Sequence, residues 1–270
     1  MKKITLVTVF IFLAVSLFAQ PVFKRNKKQE ASQQKLIEAV YSTAKPEEIV
    51  IHKGFAVSYN EDKLVPNWVT YELTDAEASA KDVSRTDEFM PDPSVKGRQG
   101  DTRDYSNSGY DRGHMAAAAD MKWDYDAMVE SFYLSNTAPQ NRQLNAGLWL
   151  ELEQKCRYWA KKYGKVWITC GPVFLYDEYS TIGQNGVAVP DLFFKCVCMK
   201  VDGEYTMAAF LFPNSECTGE LTGYIFPVAA AEAVTGCQYF NNTGLDPLVL
   251  YSKQNNYTKA HWEIPGWKKK

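Results

Sequence analysis

The feature that most restricts the fold is one long helical periodicity standing among many short β-type runs. Apolar residues recur at Leu144, Leu148, Leu152, Cys156 and Trp159, a spacing that lines one face of a helix and predicts a core-facing helix over 144–159. Upstream, Val50-Ile51-His52, Phe55-Ala56-Val57-Ser58-Tyr59 and Trp68-Val69-Thr70-Tyr71-Glu72-Leu73 are rich in β-branched and aromatic residues. Separated by Asn60-Glu61-Asp62, they predict paired strands. Downstream strands are predicted at 165–170, 192–199 and 205–212, with turns at Gly171-Pro172, over 183–186 and at Asp202-Gly203. An Asp-Gly step between two such runs is a hairpin turn. A short helix is expected near 228–234. The expected class is α+β, a central antiparallel sheet with helices packed on it.

Residues 74–109 are polar and contain Pro91, Pro93, Gly97 and Gly100. They read as a long surface loop, and such length suggests function. At the start of the chain, Met1-Lys2-Lys3, an apolar run over 4–18 and Ala19-Gln20-Pro21 have the charge, apolar stretch and small residue of a secretory signal. A membrane anchor competes, but a span needs about 20 apolar residues. The expected organisation is a signal peptide over 1–19, a flexible basic and polar leader over 20–46, and a single domain over 47–270. Lys24-Arg25-Asn26-Lys27-Lys28 is a solvated linker or a nucleic-acid tether. The expected destination is export to periplasm, cell surface or medium, without stable membrane insertion once the signal is removed.

The 30 basic and 32 acidic residues give a net charge of −2. Losing Lys2 and Lys3 with the signal takes this to about −4, an unusual balance for a nucleic-acid binder. An enzyme, however, needs only a local cationic cleft, and weak overall attraction helps it release product. All six cysteines lie between Cys156 and Cys237. Export would allow disulfides, but Cys196 and Cys198 share one strand face and cannot bridge each other. Their spacing lacks the paired C-x-x-C or nearby histidines of a zinc site.

The densest cluster of chemistry is Ser108-Gly109-Tyr110-Asp111-Arg112-Gly113-His114-Met115, running into Ala116-Ala117-Ala118-Ala119-Asp120. It is followed by Phe132-Tyr133-Leu134-Ser135-Asn136-Thr137-Ala138-Pro139-Gln140, then Leu144-Asn145-Ala146-Gly147-Leu148-Trp149 and Leu152-Glu153, with Arg157 beyond. In this order and spacing the pieces resemble the signature of the DNA/RNA non-specific endonuclease family of ββα-metal (His-Me finger) nucleases, which has mitochondrial and secreted bacterial members. Ser84-Arg85-Thr86-Asp87-Glu88-Phe89 before Asp92-Pro93 is similar too, as are Thr169-Cys170-Gly171-Pro172 and Ala208-Ala209-Phe210-Leu211-Phe212. The resemblance spans roughly 50–245. Met115 departs from the Leu or Gln often found after the histidine, a place where any medium-sized side chain serves.

Phosphodiester hydrolysis at neutral pH needs a base for water, a cation for the phosphoryl oxygens and a way to stabilise the leaving 3′-oxygen. His114 suits the first task, since an ordinary imidazole is largely neutral at pH 7; alone, it would more often be a satisfied structural histidine. Asn145 supplies a neutral oxygen suited to hydrated Mg²⁺, with Mn²⁺ or another divalent ion as substitute; alone, it would more often cap a helix. Glu153, eight residues on, falls near the same helix face and is suited to orienting water at the metal, or else is a surface carboxylate. Arg85, Arg112 and Arg157 offer the rigid donor forks that match phosphate oxygens. The resemblance makes Arg85 the transition-state contact, while Arg157 is equally a structural salt bridge and Arg112 partly a brace for the motif loop. It also makes Asp111 a brace for loop or base and Asn136 a support for the active-site helix. His52 and His261 have no evident partner and are assigned to structure or surface.

The resemblance thus implies a secreted Mg²⁺-dependent endonuclease acting on DNA and RNA with little sequence preference and leaving 5′-phosphates. The alternatives are a catalytically inactive nucleic-acid-binding relative and a metal-dependent phosphodiesterase acting on small nucleotides. A homodimer is left open.

Overall fold

The computed structural model describes residues 40, 42–44 and 46–240. The expected signal, most of the expected leader, and the tail with His261 lie outside them. Val40 is buried against Phe194, Ala231 and Tyr239, and Pro46 accepts a hydrogen bond from Asn67. The chain is therefore already packed before residue 46, where the leader was expected to end, because an apolar side chain there finds an apolar cluster.

The strands are β1 (Glu48–Ile51), β2 (Ala56–Asn60), β3 (Val65–Thr74), β4 (Tyr110–His114), β5 (Thr137–Asn141), β6 (Lys165–Val173), β7 (Thr181–Ile182), β8 (Val187–Ala188), β9 (Leu192–Val201), β10 (Glu204–Pro213) and β11 (Ile225–Phe226). The helices are α1 (Asp75–Ser79), α2 (Tyr125–Ser131), α3 (Leu150–Tyr163) and α4 (Val228–Thr235). Seven strands form one sheet in the order β1-β2-β3-β6-β9-β10-β11, with every neighbour antiparallel. The fold is the expected α+β class. Asp202 and Gly203 form the two-residue turn between β9 and β10, both at positive φ, the twist that suits a tight hairpin.

Strand alternation sorts the core onto both faces of the sheet. On β9, Phe193, Val197 and Met199 join the cluster that holds Leu152, Cys156 and Trp159 of α3. Phe194, Cys196 and Cys198 join Val228 and Ala231 of α4 on the other face. Each large buried side chain stabilises by about 2 kcal/mol, so the helices hold the sheet mainly through these stripes. All six cysteines are free thiols. Gly164, at positive φ, ends α3, and its carbonyl accepts from the Asp75 N–H, which ties the helix end to α1.

The expected loop over 74–109 is interrupted by α1, by a 3₁₀ turn at Thr102–Tyr105, and by a bridge between Met90 and Tyr133. His52 anchors it: Nε2 lies 2.9 Å from Asp92 Oδ2, which also accepts from Ser135 Oγ at 2.5 Å. The three side chains are essentially inaccessible, so this set joins the β1–β2 turn, the loop and the entry to β5. No helix among the described residues is long and apolar enough to cross a membrane.

Candidate active site

The site is built on β4 and β5, which pair as a separate two-stranded ribbon, and on the helical segment that follows. That segment is not the continuous helix the periodicity predicts. A turn at Arg142–Leu144 leads into a π-helical turn at Asn145–Trp149, with Gly147 outside helical backbone angles, and only then into α3. Such wider turns are frequent at functional sites. Asn141 is the cap, accepting from the N–H groups of Gln143 and Leu144. Asn145 is therefore not a cap, and its side chain is free for another use.

His114 closes β4 opposite Thr137. Its carbonyl accepts from Trp149 Nε1 at 3.1 Å, and the Met115 N–H donates to the Asn136 carbonyl at 2.9 Å. The imidazole is packed by Phe89 and Phe132, each with ring centroids 5.0 Å away. Nε2 is buried without a hydrogen-bond partner among the described residues, which is unlike a satisfied core histidine. Burial first, and then the Arg85 charge, push its pKa down to about 3. The imidazole is thus neutral, the form able to take a proton.

Asn136 is completely buried. It was expected to support the helix, but it grips the chain after His114: its Oδ1 accepts from the Ala116 N–H, and its Nδ2 donates to the carbonyls of Ala116 and Ser131. The physical reason is position, since Asn136 stands in the turn just ahead of β5, directly beside the residues that follow β4. Asp111 Oδ2 accepts from Asn145 Nδ2 at 2.9 Å, and Oδ1 lies 3.4 Å from Arg142 Nη1. With its amide nitrogen so held, Asn145 keeps its carbonyl oxygen for an outside partner. Among the described residues no three His, Cys, Asp or Glu side chains gather into a metal cage. A single neutral oxygen suits a cation that retains most of its water, as Mg²⁺ does.

Glu153 is nearly inaccessible, and burial raises its pKa to about 7. Lys195, Arg157 and Arg85 oppose that rise, while Asp120 adds to it. Arg85 is half exposed, bonded to Asp87, with its guanidinium 4.8 Å from the Phe132 ring centre. Arg112 donates to the Thr102 carbonyl at 2.7 Å and stacks near Phe89 and Tyr105, while its Nε is buried without a partner. Arg157 donates to Asp120 Oδ1 at 2.6 Å, and Tyr71 OH donates to Asp120 Oδ2 at 2.9 Å. Arg157 is therefore held in a salt bridge. Arg85 acts electrostatically on both His114 and Glu153, so these three side chains share one neighbourhood.

Sequence reasoning gave no individual role to Lys195, Asp120, Phe89, Phe132 or Trp149. For Lys195 a signal existed. It is the one charge in the run Leu192-Phe193-Phe194-Lys195-Cys196-Val197-Cys198-Met199, a β9 segment buried on both faces.

An antiparallel sheet carrying a strand-pair-and-helix element, with a strand-end histidine and a helix-borne asparagine, defines the ββα-metal class of fold. The chain belongs to the DNA/RNA non-specific endonuclease family, which matches residues 32–245. It is 34% identical to mitochondrial nuclease EXOG of Xenopus laevis over 72% of this chain and 59% of that protein. It is 35% identical to mitochondrial endonuclease G of Caenorhabditis elegans over 77% of this chain and 72% of that protein. A solved complex of EndoG with EndoGI contains a chain that superposes with a TM-score of 0.71 at 30% identity, covering 79% of this chain and 92% of that one. The chain spans about 59% of the length of the first of these relatives.

These relatives correct the expected destination. Those from Xenopus laevis, Saccharomyces cerevisiae, Homo sapiens and Caenorhabditis elegans are named as mitochondrial nucleases, against the expected export to periplasm, cell surface or medium.

Proposed function

We propose that the protein is a divalent-metal-dependent endonuclease that hydrolyses phosphodiester bonds of DNA and RNA with little sequence preference, leaving 5′-phosphates. The observation that carries this reading is His114, a neutral imidazole whose buried ring nitrogen has no partner, set beside Arg85. Its family membership and the freed oxygen of Asn145 support the same reading.

His114 takes the proton from the attacking water. Arg85 neutralises charge developing on the phosphoryl oxygens, and Arg112 and Arg157 hold the scissile phosphate with the donors their internal partners leave free. Asn145 would hold Mg²⁺, or Mn²⁺ in its place, with Asp111 fixing the orientation of the amide. When bound, the cation supplies positive charge to the phosphoryl and leaving oxygens. Glu153 orients water at the same centre, and Asn136 fixes the backbone behind His114. Contacts of this kind read the phosphate backbone and carry little base information, in a monomer or a homodimer alike.

The test is digestion of plasmid DNA and structured RNA by the purified chain, with Mg²⁺ or EDTA, beside His114→Ala and Asn145→Ala. Metal-dependent cleavage of both polymers that disappears in each variant is expected. No cleavage by folded wild type with any divalent ion refutes the proposal and leaves a binding role.

A further inference from the structure

Lys195 is completely buried, projecting from β9 toward α3 where its neighbours on that face are Phe193 and Val197. Removing an ammonium from water costs several kcal/mol, so a lysine in such a place needs compensation. Among the described residues it has no carboxylate within 4.0 Å. Its Nζ lies 3.4 Å from the Met115 carbonyl, 3.8 Å from Cys170 Sγ and 4.3 Å from the centre of the Trp149 ring. Each of these groups touches the chain around His114. Cys170 Sγ donates to the same Met115 carbonyl at 3.2 Å, and Trp149 Nε1 donates to the His114 carbonyl.

We propose that Lys195 is a positioning residue, a buried cation that fixes the His114–Met115 backbone from beneath and brings its positive charge to bear on the Glu153 side of the site. This rests on the endonuclease reading only for its effect on rate. The titratable groups facing Lys195 are Cys170 on β6, Glu153 and Cys156 on α3, and Asp120. Those facing Glu153 are Lys195, Arg157, Asp120 and Arg85, and among these Lys195 is the strongest opponent of its protonation. Burial favours a neutral amine at Lys195, but the facing groups outweigh it and its pKa is raised. The cation is therefore permanent near neutral pH, and it acts without touching substrate.

The first test is the metal-free protein, read by carboxyl ¹³C NMR of Glu153 in wild type, Lys195→Met and Lys195→Arg. The Glu153 midpoint is expected to rise by about one pH unit in Lys195→Met and to stay near the wild-type value in Lys195→Arg. In cleavage assays Lys195→Met is expected to lose at least about tenfold in kcat with little change in KM, and its acid limb is expected to move to higher pH. An unmoved midpoint in folded Lys195→Met overturns the proposal. So does a neutral Lys195 amine, read by ¹⁵N NMR of wild type between pH 6 and 9, a measurement that needs no variant to fold. A moved midpoint in a protein that cleaves nothing would leave the electrostatic role standing and remove the nuclease reading.

Discussion

Replacing His52 with glutamine should cost stability in a strongly pH-dependent way. Burial pulls the His52 pKa down, but the hydrogen bond and charge of Asp92, assisted by Glu130, outweigh it and raise the value from 6.5 to about 9. Asp92 correspondingly sits below its ordinary value, through the bond from His52 and then that from Ser135. The folded state thus holds a charged histidine against a carboxylate. At about 1.4 kcal/mol per pKa unit, the rise corresponds to about 3 kcal/mol of stability. The range for breaking a buried pair, about 3–5 kcal/mol, agrees. A raised histidine pKa contributes fully below the unfolded value of 6.5, and the contribution is lost as pH climbs through 9. Urea unfolding of wild type and His52→Gln from pH 6 to 10 reads it directly. Wild type should exceed the variant by about 3 kcal/mol at pH 6, with the gap closing by pH 10. Taking the difference removes other groups that titrate in the window. A gap that stays constant across this range would refute an ionised pair and leave His52 as a neutral hydrogen-bonding residue.

Asp111→Ala frees the Asn145 amide and should raise the Mg²⁺ concentration needed for half-maximal cleavage by about 10–100-fold, with the thermal midpoint little changed; an unchanged metal requirement counts against the orienting role. Arg157→Met leaves the buried Asp120 without its cationic partner, and should destabilise by about 3 kcal/mol in urea unfolding. Adding Asp120→Asn should recover part of that loss, and a double variant no more stable than the single one would contradict the pairing. Because the Glu153 carboxyl is raised to about 7, wild-type cleavage should increase between pH 6 and 8 as it loses its proton, whereas Glu153→Gln should be slow and flat over that range.

What could be read from the chain alone divides along physical lines. The spacing of Leu144, Leu148, Leu152, Cys156 and Trp159 revealed the buried face of the helical segment that ends in α3, because all five side chains do face the core. It did not reveal the π-turn at Asn145–Trp149, since a spacing of four fits the ordinary helix as well as the wider turn. Nor could local sequence show that the cap is Asn141 and not Asn145, since only geometry shows which oxygen meets the free N–H groups. The roles of Asn136, Asp92 and Ser135 depend on contacts 20 to 43 residues apart. The polar composition of 74–109 concealed how firmly it is held, because a buried Asp92 and Tyr105 look, in sequence, like ordinary loop residues.

The net charge of the chain weighed against a nucleic-acid partner, and the structure shows why that weight is small. Many of the acids are spent locally: Asp124 and Asp126 meet Lys53, Glu72 meets Lys165, and Asp101 meets Arg103. At His114 the balance is different. The two charges that act on it appreciably are Arg85, which disfavours the imidazolium, and Asp87, which favours it, with Arg85 the larger. Arg85 therefore outweighs Asp87 at the imidazole, inside a protein whose total charge is negative. Lys195 and Arg157 likewise act on Glu153, the second proton-bearing group of the site, against Asp120. A phosphate is drawn by the local potential, which falls off over about 10 Å in ordinary salt, and hardly by the charge summed over distant surfaces.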